Sequence, residues 1–277
     1  MNKQDLVSAI ITTKNEEDMI GNLLNSIRNQ TYKRVEIILV DNNSKDLTVE
    51  IAKKFGVITY TFGPERSAQR NFGAKKANGK YLVFLDADME LTTGVIKECV
   101  EAISYKSKIF GIVIPEVSIA KNFWGRIKVF EMSFYNEKGD LTTDAARFFL
   151  KEVFMKVGGY DENITGPEDW DLPENIIEMG YKIGRVKAVI YHKERIISIL
   201  NLAKKKYYYA LKTHRYLKKH NIRPISAKTI FFLRPIFYKN WQKIVLHPIL
   251  SICLIFMLTI ELIAGGVGYI TGRLTNK

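Results

Sequence analysis

The sequence has little cysteine: Cys99 and Cys253 are the two examples in 277 residues. Two cysteines so far apart exclude a disulfide framework and a paired Cys-x-x-Cys metal site, so we expect a reducing compartment. The N-terminal region also lacks a long apolar run, because the segment from Leu6 to Ile11 is short and is followed by charge. We therefore expect no secretory signal, and the composition excludes a small disulfide-rich secreted protein.

Acidic residues are scarce in the last third of the chain. Residues 191–277 contain 16 Lys and Arg but only 2 Asp and Glu, a net charge of +14, whereas residues 1–190 have a net charge of −1. A nucleic-acid-binding protein is expected to carry its basic residues on the folded body. Here the excess lies beside the most hydrophobic segment, which favours anionic membrane lipids as partners and argues against nucleic acid.

The first half of the chain alternates between strand-like and helix-like segments. Ile20, Leu23, Leu24 and Ile27 have the spacing of one buried helical stripe. The segment 35–40 (VEIILV) is apolar at nearly every position, which is typical of a parallel strand covered on both faces. This alternation predicts an α/β doubly wound sheet flanked by helices. Further strands are predicted at 7–12, 57–60, 81–85, 109–114 and 186–191, and helices at 46–55, 67–77, 92–105 and 170–179.

The C-terminal part has a different character. Segments 199–220 and 228–243 mix aromatic and basic residues, as helices at a membrane interface do. Pro248 to Thr271 then has one charge, Glu261, over a length sufficient to span a bilayer. We expect this helix to be transmembrane, with the N-terminal body in the cytoplasm because basic residues precede it. The alternative is a helix that enters the interface without crossing, since Glu261 is costly inside a membrane.

Acidic residues close two of the predicted strands. Asp41 ends the strand 35–40, and Asp86 ends the strand 81–85, with Asp88 two residues later. Ligands of doubly wound sheets bind at the carboxyl ends of the strands. Oxygen ligands suit Mg²⁺ or Mn²⁺, so Asp86 and Asp88 are candidates for holding a metal that carries a diphosphate. Alone this pattern is weak, because turns favour Asp.

Several motifs, taken together, resemble the family 2 glycosyltransferases of the GT-A fold. The likeness covers roughly residues 5–195, with the motifs in the order expected of the family. They are IITTKNEE at 10–17, VDNNSKDLT at 40–48, RNFG at 70–73, ANGKY at 77–81, FLDAD at 84–88, GGYDE at 158–162 and EDWD at 168–171. The resemblance implies a GT-A fold with a Rossmann-like, mostly parallel sheet, followed here by C-terminal amphipathic and transmembrane helices.

The resemblance also implies a nucleotide-sugar site. Arg70 would hold the nucleotide end of the donor, and Asp86 and Asp88 would hold Mn²⁺ or Mg²⁺ between the phosphates. The family often has Pro and an aromatic residue where this chain has Thr12 and Lys14, so the base is left open between UDP and GDP. The residues implied to line the pocket for base and ribose are Thr12, Lys14, Glu16 and Asp41.

The motif at 168–171 resembles the family's acidic base motif. Inverting transfer needs a carboxylate that takes the proton of the acceptor hydroxyl, and we assign Asp169, with Glu168 as the second choice. Asp171 is expected to cap the helix that follows. His192, after the strand 186–191, is a candidate for the metal, although a lone His is more often structural. We expect Arg147 either to contact the donor or the acceptor, or to form a surface salt bridge.

These observations predict a metal-dependent inverting glycosyltransferase that moves a sugar from a nucleotide diphosphate to a membrane acceptor, such as a lipid-linked glycan. The alternative is a non-catalytic membrane-anchored nucleotide-sugar-binding protein of the same fold. A nucleotidyltransferase is a weaker alternative, because the loop 12–17 has no glycine. The predicted division is a catalytic domain at 1–195, interfacial helices at 196–243 and a membrane helix with a short tail at 244–277.

Overall fold

A computed structural model describes residues 4–136, 139, 144–196 and 198–275. The chain forms two compact units, each built from several segments. The first unit comprises Met1–Glu116, Ala145–Glu162 and Glu168–His192, and the second comprises Val117–Asp144, Asn163–Pro167 and Lys193–Lys277. The linear division at residues 195 and 243 therefore stays a prediction.

Within the part of the chain that the structure describes, ten strands form two sheets. The large sheet has the order β3-β2-β1-β4-β8-β6-β9, and the small sheet has the order β5-β10-β7. In the large sheet β3, β2, β1 and β4 are parallel, β8 is antiparallel to both its neighbours, and β9 is parallel to β6. The strands are β1 Val7–Thr13, β2 Val35–Asp41, β3 Ile58–Thr61, β4 Tyr81–Asp86, β5 Met89–Leu91, β6 Ile109–Val113, β7 Glu116–Ile119, β8 Ala146–Leu150, β9 Lys182–Arg185 and β10 Ile190–Lys193.

Helices follow most of these strands. In the first unit they are α1 Glu17–Arg28, α2 Thr48–Lys54, α3 Arg66–Lys76, α4 Val95–Ala102, α6 Lys151–Lys156 and α7 Glu168–Glu178. In the second unit they are α5 Phe123–Asn136, α8 Ile199–Ala210, α9 Thr213–Lys219, the 3₁₀ turn η1 Phe231–Leu233, α10 Pro235–Lys239, α11 Trp241–Leu246 and α12 Pro248–Thr275.

The core of the first unit is the one that its apolar pattern predicts. Ile20, Leu23, Leu24 and Ile27 of α1 are all buried, as their spacing indicates. Every residue of the neighbouring strand β1 is buried as well, because helices and other strands cover it. The prediction of an α/β, mostly parallel sheet is confirmed.

The predicted strand at 186–191 is wrong. Strand β9 ends at Arg185, and β10 begins only at Ile190, so the intervening segment 186–189 connects the two sheets. The apolar residues Val186, Val189 and Ile190 favour a strand by composition, but the backbone N–H groups of Lys187 and Ala188 donate to Glu98 Oε2 and not to a neighbouring strand. His192 consequently lies within β10, where it pairs in register with Met89 of β5.

The second unit packs around a separate apolar cluster. Residues of α5, α8 and α12 meet in it, among them Ile127, Leu202, Leu254 and Met257. Glu261 is buried there between Lys206 and Lys128, at 2.9 and 3.5 Å respectively. Among the residues described, α12 is the one helix long and apolar enough to cross a membrane by length and composition, with a mean hydropathy of 2.3 in its most apolar window.

Candidate active site

Three parallel strands of the large sheet end side by side. In the strand register Thr13 lies opposite Asp41, and Thr12 lies opposite Asp86. The carboxyl ends of β1, β2 and β4 therefore meet at one edge, where ligands of such sheets bind. Thr12 is buried, and its hydroxyl lies 3.4 Å from Asp86 Oδ1.

Asp41 is held by neutral donors. It is 2% exposed and accepts hydrogen bonds from Thr13 Oγ1 at 2.8 Å, Ser44 N at 2.7 Å and Ser44 Oγ at 2.5 Å. Donors on both carboxylate oxygens fix the orientation of this side chain. The loop that follows β2 is thereby anchored to the end of the strand.

The loops after β1 and β2 are tied to each other. Asn15, at a positive φ of 56°, donates from its backbone N–H to Ser44 Oγ and accepts from Lys45 N, both at 2.8 Å. The backbone N–H of Glu16 donates to Thr48 Oγ1 at 2.7 Å. The Lys14 side chain is exposed and that of Glu16 is partly exposed, so both lie on the outer side of this loop.

Asp86 is the centre of an arginine cluster. Arg70 Nη2 lies 3.1 Å from Asp86 Oδ1, while Arg147 Nη1 and Arg66 Nη1 lie 3.5 and 3.7 Å from Oδ2. Burial alone would raise the pKa of Asp86, but the three guanidinium groups hold that pKa well below its usual range. Asp86 is therefore ionised at neutral pH.

The two acids of the predicted base motif lie in the first turn of α7. Arg70 Nη1 contacts Asp169 Oδ1 at 2.6 Å, and Arg66 Nη2 contacts Glu168 Oε1 at 2.8 Å. Because Arg66 and Arg70 also contact Asp86, they connect Glu168 and Asp169 to the carboxyl end of β4. The Glu168 side chain is 2% exposed and that of Asp169 is 20% exposed, so Asp169 is the more accessible.

The helix that carries these acids begins earlier than its apolar pattern indicates. Helix α7 starts at Glu168, two residues before the predicted start at Trp170, because carboxylates are stabilised in a first helical turn. Asp171 lies inside that turn, is fully buried, and accepts a hydrogen bond from Asn175 Nδ2 at 3.0 Å.

Burial alone would raise the pKa of Asp169, but the positive charges of Arg70, Arg147 and Arg66 outweigh the effect of burial and lower that pKa.

A second branch of the network leads to Asp88. Arg147 Nε donates to Glu116 Oε1 at 2.5 Å, Glu116 Oε2 lies 3.2 Å from His192 Nδ1, and His192 Nε2 lies 3.4 Å from Asp88 Oδ1. Burial raises the pKa of Glu116, yet Arg147 and His192 lower it to about 2. Burial lowers the pKa of His192, but hydrogen bonds with Asp88 and Glu116 raise it well above its ordinary value.

Five carboxylates, three arginines and one histidine form this network. Two buried atoms, Arg70 Nε and Glu168 Oε2, have no hydrogen-bond partner among the described residues. Buried polar groups are normally paired, so such atoms indicate that water or a ligand completes the site. The carboxylates are Asp86, Asp88, Glu116, Glu168 and Asp169.

The donor atoms fit a divalent cation shared with a phosphate ligand. Within 4–136, 139, 144–196 and 198–275, no group of three or more His, Cys, Asp or Glu is arranged to hold a metal alone. Asp88 Oδ1 and His192 Nε2, 3.4 Å apart, are close to the roughly 3 Å expected for adjacent ligands at bond lengths of about 2.1 Å. Mg²⁺-like ions often take one or two protein ligands plus substrate phosphates. Asp86 already forms ion pairs with three arginines. A metal bound to His192 would displace the proton from the ring nitrogen that binds it.

Sequence reasoning missed two members of the network. Arg66 lies four residues before Arg70 on α3, and this i,i+4 spacing places both side chains on one helix face, a signal that was available. Glu116 had no such signal, because its partners Arg147 and His192 are 31 and 76 residues away in the sequence. Arg147, left open between three roles, lies in the ion-pair network, 6% exposed.

Comparison with solved structures identifies the class of fold. The mannosyltransferase PcManGT from Pyrobaculum calidifontis, in complex with GDP-Man and Mn²⁺, superposes on 100% of this chain and 77% of its own with a TM-score of 0.59 and 15% identity. This similarity shows the fold alone, and that fold is GT-A. The family model described as "Glycosyl transferase family 2" matches residues 8–158, more than half of the chain. The chain belongs to glycosyltransferase family 2.

Curated relatives are similar over parts of their length. The chain is 28% identical over 204 residues to the minor teichoic acid biosynthesis protein GgaB of Bacillus subtilis, covering 67% of this chain and 22% of that protein. It is 30% identical over 133 residues to the GalNAc(5)-diNAcBac-PP-undecaprenol beta-1,3-glucosyltransferase of Campylobacter jejuni, covering 43% and 42%. The chain thus spans less than half the length of either relative.

Proposed function

We propose that this protein is a metal-dependent inverting glycosyltransferase that moves a sugar from a UDP- or GDP-sugar to an acceptor at a membrane. One observation carries the proposal. Arg66 and Arg70 connect the acid at a sheet edge, Asp86, to the candidate base residues of α7. A donor site and a proton acceptor then lie in one electrostatic network, as group transfer requires.

The donor nucleotide is assigned to the ends of β1 and β2. Asp41 offers a fixed carboxylate for hydroxyl or amine donors of the nucleoside, and Thr12 precedes Thr13, the residue that lies opposite Asp41 in the register. Lys14 and Glu16 are proposed to close over the nucleoside from the outer side of the loop. Similarity of fold to PcManGT, which was solved with GDP-Man and Mn²⁺, supports a nucleotide-sugar ligand.

The metal is assigned to Asp88 and His192, with Asp86 beside them. When bound, Mn²⁺ or Mg²⁺ neutralises charge on the departing diphosphate. The two buried atoms without a partner among the described residues support a ligand in this network, and the Asp88–His192 separation fits a pair of ligands to a cation. The ionised Glu116 accepts a hydrogen bond from Nδ1, the other ring nitrogen of His192, which orients the imidazole. Arg70 and Arg147 stay in place as fixed positive charges near the phosphates.

Asp169 is proposed as the base. Its carboxylate takes the proton of the acceptor hydroxyl while the hydroxyl oxygen bonds to the anomeric carbon and the bond from that carbon to the diphosphate oxygen breaks. The lowered pKa of Asp169 keeps it ionised, and its partial exposure admits the acceptor. Glu168 is nearly inaccessible and serves to hold Arg66.

The acceptor is proposed to be lipid-linked and to be met at a cytoplasmic membrane face. The apolar helix α12 and the net charge of +14 in residues 191–277 support attachment to anionic lipids. The similarity to a Campylobacter jejuni enzyme named for an undecaprenol-linked glycan supports this class of acceptor. Basic residues before α12 support the cytoplasmic side.

Product formation tests the proposal directly. The full chain in detergent is incubated with UDP- and GDP-sugars, Mn²⁺ and polyprenyl phosphate or lipid-linked oligosaccharide acceptors, and lipid products are measured by mass spectrometry. We expect transfer from one donor, with loss on chelation and recovery on adding Mn²⁺. No transfer and no donor hydrolysis with any combination would contradict it.

Nucleotide binding separates the parts of the proposal. Protection of the protein against thermal unfolding by a nucleotide diphosphate should require Mn²⁺ and should disappear in Asp88→Ala. Asp169→Asn should keep this protection while losing transfer. A protein that binds a nucleotide sugar but never transfers it would instead be the non-catalytic binding protein.

A further inference from the structure

Helix α12 has two faces of opposite character. The covered face contains a charge and two glycines and spans about 120° at 100° per residue. The exposed residues from Ile249 to Ile270 are apolar or glycine and lie within about 120° on the opposite side, and the exposed Arg273 lies at the C-terminal end of this face. The covered residues are Ser251, Leu254, Met257, Leu258, Glu261, Gly268 and Gly272, and the exposed ones include Ile252, Ile255, Phe256, Ile263, Val267, Ile270 and Leu274.

Helix α8 packs along the C-terminal half of α12. A methyl group added to Gly268 would lie 2.3 Å from the carbonyl oxygen of Tyr207, and one added to Gly272 would lie 1.8 Å from that of Leu211. Both pairs advance by four residues in the same direction, so the two helices run parallel in backbone contact. The Lys206–Glu261 ion pair joins the same two helices.

Helix α5 covers the N-terminal half of the same face. Phe130 and Phe134 pack in one cluster with Leu254 and Leu258, and Lys128 reaches Glu261. The covered face from residue 251 to residue 272 is about 32 Å long, similar to the thickness of the hydrocarbon core of a bilayer. Any orientation that carries α12 across the hydrocarbon therefore carries α5 and α8 with it.

Helix α8 is unsuited to that position. Asn201, Lys204, Lys205 and Tyr208 are exposed and follow the i, i+3, i+4, i+7 spacing of a single helix face. A spanning arrangement would place two exposed lysines beside α12 inside the hydrocarbon, where lysine is strongly unfavourable. An arrangement parallel to the bilayer surface leaves them in water or among headgroups.

We propose that α12 lies along one leaflet of an anionic bilayer, with its exposed apolar face in the acyl region and α5 and α8 on its protein side. The partner is the lipid surface itself. The 16 basic and 2 acidic residues of 191–277 match anionic headgroups, and the apolar stripe matches the acyl boundary. This inference rests on the membrane attachment in the proposed function but not on sugar transfer.

Labelling of two cysteines per molecule tests the proposal without knowing the orientation of the protein. Gln242→Cys and Thr275→Cys, both at exposed positions flanking α12, are introduced with Cys253→Ala, while Cys99 stays buried. The full chain is reconstituted into sealed vesicles of neutral and anionic phospholipid and treated with a membrane-impermeant maleimide. Mass spectrometry then counts the labels on each molecule.

A helix that lies along one leaflet places both cysteines on the same side, so we expect molecules with two labels or none. A spanning helix places them on opposite sides, and a population with one label would overturn the proposal. Complete double labelling in detergent and unchanged thermal unfolding control for reactivity and folding. Failure of the protein to float with the vesicles would overturn membrane attachment as well, whereas transfer is measured separately with soluble acceptor analogues.

Discussion

The two units of the protein each bury an ionic cluster, and the clusters differ in whether their buried polar atoms have partners. In the second unit Lys128 contacts Glu131 and Glu261, Lys206 contacts Glu261, and within the described residues none of these side chains has a buried polar atom without a hydrogen-bond partner. In the first unit two buried atoms, Arg70 Nε and Glu168 Oε2, have no hydrogen-bond partner within the described residues. Burying polar and charged groups is costly in both places, but among the residues described only the first cluster leaves atoms for a ligand or water to pair.

This difference distinguishes buried charges that have a structural role from buried charges that have a functional role. The cluster around Glu261 joins three helices, and its buried polar atoms are paired within the described residues. The cluster around Asp86 joins the edge of a sheet to a helix start and leaves two buried atoms unpaired within those residues. Substitutions in the first unit should therefore affect transfer, and substitutions in the second should affect stability.

The largest effect is expected at Asp169. Asp169→Asn removes the proton acceptor and should lower the transfer rate by about 10²–10⁴-fold, the usual range for a lost general base. Initial rates at saturating donor measure it. Glu178→Gln, an exposed residue at the far end of the same helix, is the matched control and should transfer normally. Equal rates in both variants would show that the cluster in the first unit is structural.

Glu261 tests the second cluster. Glu261→Leu leaves Lys206 without its partner and should lower the free energy of unfolding by about 3 kcal/mol, the lower range for breaking a buried pair. Denaturant unfolding in detergent measures the loss. Adding Lys206→Met should restore most of the stability, because Lys128 retains Glu131 at 2.7 Å. Transfer per folded molecule should remain unchanged, and a selective loss of transfer would contradict the division of roles.

Two glycines of α12 test the packing that surrounds Glu261. Gly268→Ala places a methyl group against the Tyr207 carbonyl and should lower the free energy of unfolding by about 1–3 kcal/mol. Gly265→Ala meets no atom within 4 Å and should raise it by up to about 1 kcal/mol through helix propensity. The comparison uses thermal unfolding of both variants. Effects of the same sign would mean that α8 does not lie on α12.

The smallest effect is expected at Glu36, a carboxylate bound by neutral donors. Burial raises its pKa, but hydrogen bonds from Ser8, Asn78 and Gly79 outweigh this and lower it from 4.5. A depressed pKa contributes stability that is present above the unfolded-state pKa and is lost as pH falls through the folded-state pKa. Glu36→Gln should therefore cost less than about 1 kcal/mol near pH 7, and the difference should shrink below pH 4.5. Unfolding at several pH values checks this, with Glu50→Gln, at an exposed position, as the matched control.

Much of the fold of the first unit was predictable from sequence. The four apolar residues of α1 are all buried, and strands β1, β2 and β4 lie within one residue of their predicted bounds. These elements are encoded locally, because the spacing of the apolar residues in each segment matches the pattern of its buried residues in the structure. The region after residue 180 was less predictable: the apolar pattern predicts one strand at 186–191, whereas the structure has β9 at Lys182–Arg185 and β10 at Ile190–Lys193, in different sheets.

The site was predictable in its motifs but not in its connections. Asp41, Asp86 and Asp88 were identified as strand-end acids from the sequence alone. The arginines that connect Asp86 to Glu168 and Asp169 were not identified as a group, because these contacts join residues about 100 positions apart. The roles assigned to these residues, including the metal ligands, stay predictions.

The sequence by itself determined the alternating α/β core, the acids at the strand ends and the concentration of positive charge in the last third. These follow from local spacing and composition, which depend on nothing beyond neighbouring residues. Only the tertiary structure decided that Arg66 and Glu116 join the site and that α8 lies against the glycines of α12. Those contacts depend on which strands and helices become neighbours, and no local pattern specifies that choice.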